Sequence, residues 1–183
     1  MMSKRNLYRM VTTAALLAVG MVLPFLTGQL QTIGKLISPL HIPAFICGLT
    51  CGPVWGAALG VVLPLLRSVV FGMPKLMPTA VTMVFELAAY GAVSGLLYPV
   101  LKRRIKAIRL VPMLIALVIA MIAGRIAGGA AQAVILGLQG TAYGLEAFIA
   151  SYFASSLVGA LIHLVVVPVV VLTLEKAKLT YID

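Results

Sequence analysis

The chain has 183 residues, of which 62% are hydrophobic and 10% charged, with a formal net charge of +10. A soluble domain carries about 25% charged and 45–50% apolar residues, and a chain of this size cannot hide such an apolar excess in one core. Composition therefore excludes a soluble enzyme or a nucleic-acid-binding domain and leaves an all-α integral membrane protein.

Six helices are expected, at about 20 residues per membrane span. The first covers 8–26. Basic residues followed by an apolar run resemble a signal peptide, but the run stays uncharged from Met10 to Gly34 and no clear small-residue cleavage site follows. It reads as a retained first helix. A polar connection follows, with Gln29, Gln31, Thr32 and Lys35. The next apolar stretch is too long for one helix, and Gly52-Pro53 is its natural break. It divides into a short second helix at 40–51 and a third at 54–70. Helices four, five and six are expected at 79–101, 111–138 and 145–174, forming one membrane domain.

Charge orients the bundle. Ten of the fourteen Lys/Arg lie in three clusters, Lys4 to Arg9, Lys102 to Arg109, and Lys176 with Lys178. Basic loops stay on the cytoplasmic side, so both termini are placed inside and only Lys35 and Lys75 fall in outer loops. The expected location is the bacterial cell membrane, with multiple passes.

Gly48, Gly52, Gly56 and Gly60 recur every four residues, a spacing that permits close backbone approach on either side of the Gly52-Pro53 bend. Gly124 and Gly128 repeat it in helix five. Ala14 and Ala18 form a small pair on helix one, open to internal packing or to docking of another subunit. Cys47 and Cys51 lie in an apolar run with no further ligand nearby, which reads as packing, with no metal site.

Polar groups inside a membrane are costly, so each is a functional candidate. These are Arg67 on helix three, Glu86 and Tyr90 on helix four, Arg125 and Gln132 on helix five, and Tyr152, Ser155, Ser156, Gly159 and His163 along one stripe of helix six. His41 begins helix two at the outer boundary. Structural alternatives stand beside each. Glu86 pairs with Arg67, with Arg125 or with a ligand; Arg67 binds ligand or snorkels to the outer headgroups; the tyrosines bind ligand or pack; His163 reads as a packing histidine. Together these groups describe an outward-facing pocket that is net positive, with arginine suited to bidentate capture of a carboxylate.

No phosphate-binding loop, metal-ligand set or nucleophile motif is present, so neither enzymatic activity nor a cofactor is expected. Only Glu86 lies well within the membrane as an acid, which leaves little for ion coupling. If the chain transports a solute, the energy has to come from a partner.

The segments His41-Ile-Pro, Cys51-Gly-Pro-Val-Trp-Gly56, Pro64-Leu-Leu-Arg-Ser68, Phe71-Gly-Met-Pro74 and Glu86-Leu-Ala-Ala-Tyr-Gly91, with the helix count, make nearly the whole chain resemble a substrate-binding S component of an energy-coupling factor (ECF) vitamin transporter. That resemblance implies vitamin binding near the outer surface by helices four to six and outer loops. It also implies association with a transmembrane coupling subunit and two ATP-binding-cassette (ABC) ATPases, with Ala14 and Ala18 as the docking contact. With aromatics at only 7% and the lone Trp55 on the inner side, a small aliphatic anion such as pantothenate fits better than a flat heteroaromatic vitamin. In that assignment Arg67 or Arg125 takes the carboxylate and Gln132, Tyr90 and Ser155 or Ser156 bond the hydroxyls and amide. Cobalamin, or a solitary small-solute carrier, are the alternatives.

Overall fold

A computed structural model of the protein describes residues 3–26, 38–105, 108–140 and 157–177, together with Gly144, Glu146, Phe148, Ala150, Tyr152 and Thr180. The described residues are helical apart from short turns and connections, without strands. Six helices carry the fold: α1 (Lys4–Leu26), α2 (His41–Cys51), α3 (Pro53–Phe71), α4 (Val81–Arg104), α5 (Leu110–Leu138) and α6 (Leu157–Lys176). Five are long and apolar enough to cross a membrane; α2 is the shorter apolar helix. The outer polar loop with Gln29, Gln31, Thr32 and Lys35, much of the first part of the expected sixth helix, including Ser155 and Ser156, and Lys178 lie outside the described residues.

Two helices run further into the basic segments than their apolar lengths suggest. The first begins at Lys4, where the Ser3 carbonyl accepts from the backbone N–H of Asn6 and Leu7. The fourth continues through Lys102, Arg103 and Arg104 in its last turn, where cations favour the negative end of the helix dipole. Glu175 of α6 completes this cytoplasmic end. It accepts from Tyr98 Oη at 2.7 Å, from Lys102 at 3.3 Å and from Arg109 at 3.4 Å, tying α4, the start of α5 and α6 together.

Helix α4 is the hub, packing on α5, α3 and α2, while α6 lies on α2 and α5. Backbone proximity makes this possible. A Cβ on Gly91 of α4 would stand 2.3 Å from the Gly56 carbonyl of α3, and one on Gly48 of α2 would stand 2.3 Å from the Gly91 oxygen. Gly52, with φ +100°, turns the chain between α2 and α3, a conformation that glycine adopts without penalty.

Helix α2 is the short second helix expected at 40–51, beginning one residue later. Its 11 residues extend only about 16 Å, half of the ~30 Å hydrocarbon thickness. Ten of them are buried against other helices, so it needs no lipid contact of its own. Because Gly48 and Gly52 sit against Gly91 and Gly95 of α4, its N-terminus reaches only the level of Glu86 and Tyr90. His41 thus lies within the bundle, not at its outer boundary.

Helix α1 packs on α2 and α3 along one side only. Its remaining surface is exposed and apolar, with Val11, Val19 and Val22 each at least half exposed and Ala14 and Ala18 among them.

Candidate functional site

Glu86 and Tyr90 stand one turn apart on the buried face of α4, and Tyr90 Oη donates to Glu86 Oε1 at 2.6 Å. Helix α2 brings His41 opposite them. Its Nε2 lies 3.9 Å from Glu86 Oε1, within ion-pair range when the imidazole is protonated, and its ring meets Tyr90 edge-on at 5.2 Å. One turn further along α2, Phe45 stacks on Tyr90 at 4.6 Å.

Helix α5 can come close because two of its residues have no side chain. A Cβ on Gly124 would fall 2.3 Å from the Tyr90 ring, and one on Gly128 would fall 2.8 Å from Glu86 Cβ. That approach carries the buried Arg125 into the same space. From α6, His163 closes the wall, its ring 5.6 Å from His41 and its Nε2 3.3 Å from the Ser38 carbonyl oxygen.

These groups enclose a chamber of about 10 Å³, room for roughly one water molecule. One arginine, Arg125, and one carboxylate, Glu86, face it, so with Arg67 elsewhere the expected excess of positive charge is absent. Nε2 of His41 is buried there without a hydrogen-bond partner. An unsatisfied buried polar atom costs about 1–3 kcal/mol, which a suitably placed ligand group or water recovers. Arginine, carboxylate, imidazole and phenol in one low-dielectric space can hydrogen-bond a small polar molecule with a charged end.

The structure therefore brings together His41, Glu86, Tyr90 and Arg125. It separates Arg67 from them. The Arg67 guanidinium donates to the Met21 carbonyl and lies 5.1 Å from the Phe25 ring and 5.3 Å from the Phe71 ring. At 3% exposure it neither reaches the chamber nor snorkels to headgroups. It pins α1 to α3. Among the described residues Arg67 makes no ion pair with Glu86, whose contacts are to Tyr90 and His41.

Gln132 sits two turns outward of Arg125 on α5 and accepts from Tyr152 Oη at 2.8 Å. Tyr152 stacks on Phe148 at 5.7 Å, and a Cβ on Gly128 would meet its ring at 3.2 Å as well as Glu86 Cβ at 2.8 Å. These two residues form an outer tier beside the chamber. Ser155 and Ser156 lie outside the described residues.

Sequence reasoning assigned His163 to packing and did not single out Phe45. The first had a usable signal, its place on one stripe with Tyr152 and Gly159. The second lies four residues from His41 and so on the same helical face, but as one apolar residue in an apolar run nothing marked it. The chamber is also richer in aromatic groups than the chain-wide figure of 7% suggests, because Phe45, Tyr90, His41 and His163 converge there.

The family model described as "ECF transporter, substrate-specific component" matches residues 8–176. No curated protein and no solved structure matches the chain.

Proposed function

Since the chain belongs to the ECF transporter substrate-specific components, multi-pass subunits of the cell membrane that bind a small molecule for the rest of the transporter, we propose that its ligand is pantothenate, held in the chamber between α2, α4, α5 and α6. The observation that carries this reading is Arg125 facing the same small enclosed space as Glu86 and the unpartnered Nε2 of His41. Arg125 takes the ligand carboxylate. His41 and Tyr90 supply hydrogen bonds to hydroxyl and amide groups, with Gln132 and Tyr152 in the tier above.

A flat heteroaromatic vitamin is disfavoured because the chamber rings are already used on one another. Phe45 is fully buried and its face is covered by Tyr90. Cobalamin demands far more space. Even a small ligand requires the walls to part, since ligand pockets occupy about 300–1,000 Å³ against the 10 Å³ found here. Capture is therefore coupled to a rearrangement of the helices around the chamber.

The energy for release inward comes from partners. The exposed face of α1 carrying Ala14 and Ala18 docks a transmembrane coupling subunit, which in turn engages two ABC ATPases.

Calorimetric titration of the purified chain with a panel of vitamins tests the ligand. Saturable binding is expected for pantothenate and absent for riboflavin, thiamine and folate. Binding of cobalamin or a flat vitamin, with none for pantothenate, overturns the assignment. Arg125→Ala is expected to weaken pantothenate binding by about 2–5 kcal/mol, the range for truncating one partner of a buried charge pair. Unchanged affinity in a folded variant removes Arg125 from the carboxylate contact.

A further inference from the structure

A second cavity, unconnected with the ligand chamber, opens on the opposite side of the bundle. It encloses about 540 Å³ between the start of α1, the bend joining α2 to α3, and the inner half of α4. Its chemistry is split. The apolar part comprises Val54, Leu96 and Val100, all exposed, with Leu96 at 60% exposure and Val54 at 76%. Its polar part comprises Arg9 from α1 and Arg103 from α4. Trp55 also lines the cavity, the residue type that settles at the headgroup level of a bilayer.

Four facts decide what such a cavity takes. It lies at the end of the bundle marked cytoplasmic by the basic loops. Its cations come from two different helices, so the fold and not a single basic run places them together. Among the described residues no acidic side chain lines it, and Glu175 is held instead by Tyr98, Lys102 and Arg109. Its apolar wall continues onto the exposed side of α4, where acyl chains lie.

We propose that this groove is a binding site for an anionic phospholipid of the inner leaflet, with the lipid phosphate between Arg9 and Arg103 and an acyl chain along Val54, Leu96 and Val100. Basic pockets between membrane helices on the cytoplasmic side hold acidic headgroups through the same combination of charge and apolar surface. A soluble anion meets only half of these contacts. A lipid meets both, and the volume suits a headgroup with the upper part of a chain.

The site also bridges α1 to α4, two helices that otherwise meet mainly through α2 and α3. Bound lipid therefore steadies the element whose outer face is offered to the coupling subunit.

The experiment is native mass spectrometry of the full chain released from vesicles containing equal phosphatidylglycerol and phosphatidylcholine. The wild type is expected to retain phosphatidylglycerol preferentially, by about tenfold, and Arg9→Gln/Arg103→Gln to lose that preference. A matched variant, Arg5→Gln/Arg104→Gln, removes the same charge from neighbouring exposed positions and is expected to keep it. Equal loss in both variants shows a diffuse surface effect and overturns the proposal. So does equal retention of the two lipids by the wild type, or displacement of the lipid by millimolar inorganic phosphate. If neither lipid is retained and the Arg9→Gln/Arg103→Gln variant instead fails to co-purify with the coupling subunit, the groove is a protein contact and the lipid assignment falls. Vitamin titration of the same variants is expected to be unchanged, so failure here is separable from failure of the chamber assignment.

Discussion

Arg67 and Arg125 are both buried arginines on apolar helices, and their surroundings set them to different tasks. Arg67 is closed in by the Met21 carbonyl and the rings of Phe25 and Phe71. All its directional contacts go to the protein, so its removal should cost stability and spare the ligand. Arg67→Ala is expected to lower stability by about 1.5–3 kcal/mol, the worth of a charged hydrogen bond, read as a fall in thermal midpoint with pantothenate affinity retained. An affinity loss equal to that of Arg125→Ala would return Arg67 to the site. Glu86 belongs with Arg125, because its carboxylate accepts from Tyr90 at 2.6 Å and faces His41. Glu86 and Tyr90 share α4, while His41 and Arg125 come from α2 and α5, and that convergence is a property of packing.

At the scale of elements, small residues determine how close the helices come and hence whether a site exists. Gly91 of α4 touches the backbone of both α2 and α3, so an added methyl there meets backbone atoms and not a movable side chain. Gly91→Ala is expected to destabilise the chain by about 1–3 kcal/mol, as overpacking does. The same change at Gly137 of α5, which has nothing within 4 Å, serves as the control in thermal unfolding and should be neutral. Gly124 works on function through the same physics. A side chain there pushes into the Tyr90 ring, so Gly124→Val should displace Tyr90 and weaken vitamin binding in a titration. Retained affinity would mean that α5 can step away from α4 without loss of the site.

For the molecule as a whole, the distribution of apolar surface separates two functions. The polar groups of the chamber face inward between α2, α4, α5 and α6, while α1 leaves most of its length uncovered. A helix attached along one side offers the other to a partner. Small residues at Ala14 and Ala18 let a second helix approach closely, since lipid tails provide no hydrophobic drive and packing has to supply the affinity. Ala14→Leu/Ala18→Leu is expected to abolish co-purification with the coupling subunit while leaving calorimetric vitamin binding intact. Intact assembly in that variant would move the docking face elsewhere.

What the amino-acid sequence determined by itself is whatever depends on local physics. Hydropathy over spans of about 20 residues established a helical membrane protein, loop charge gave the orientation, and the Gly52-Pro53 break separated α2 from α3. The cost of burying Glu86, Tyr90 and Arg125 in lipid marked them before any contact was known. Tertiary structure alone decided which of the buried polar groups share a space. Arg67 and Arg125 are alike in one dimension, and only the crossing of α1 over α3 removes the first. The short length of α2, tolerated because its neighbours cover it, drew His41 inward to meet Glu86, and close approach at Gly124 and Gly128 set Arg125 beside them. Those outcomes depend on distances between helices, which no periodicity along a single helix encodes.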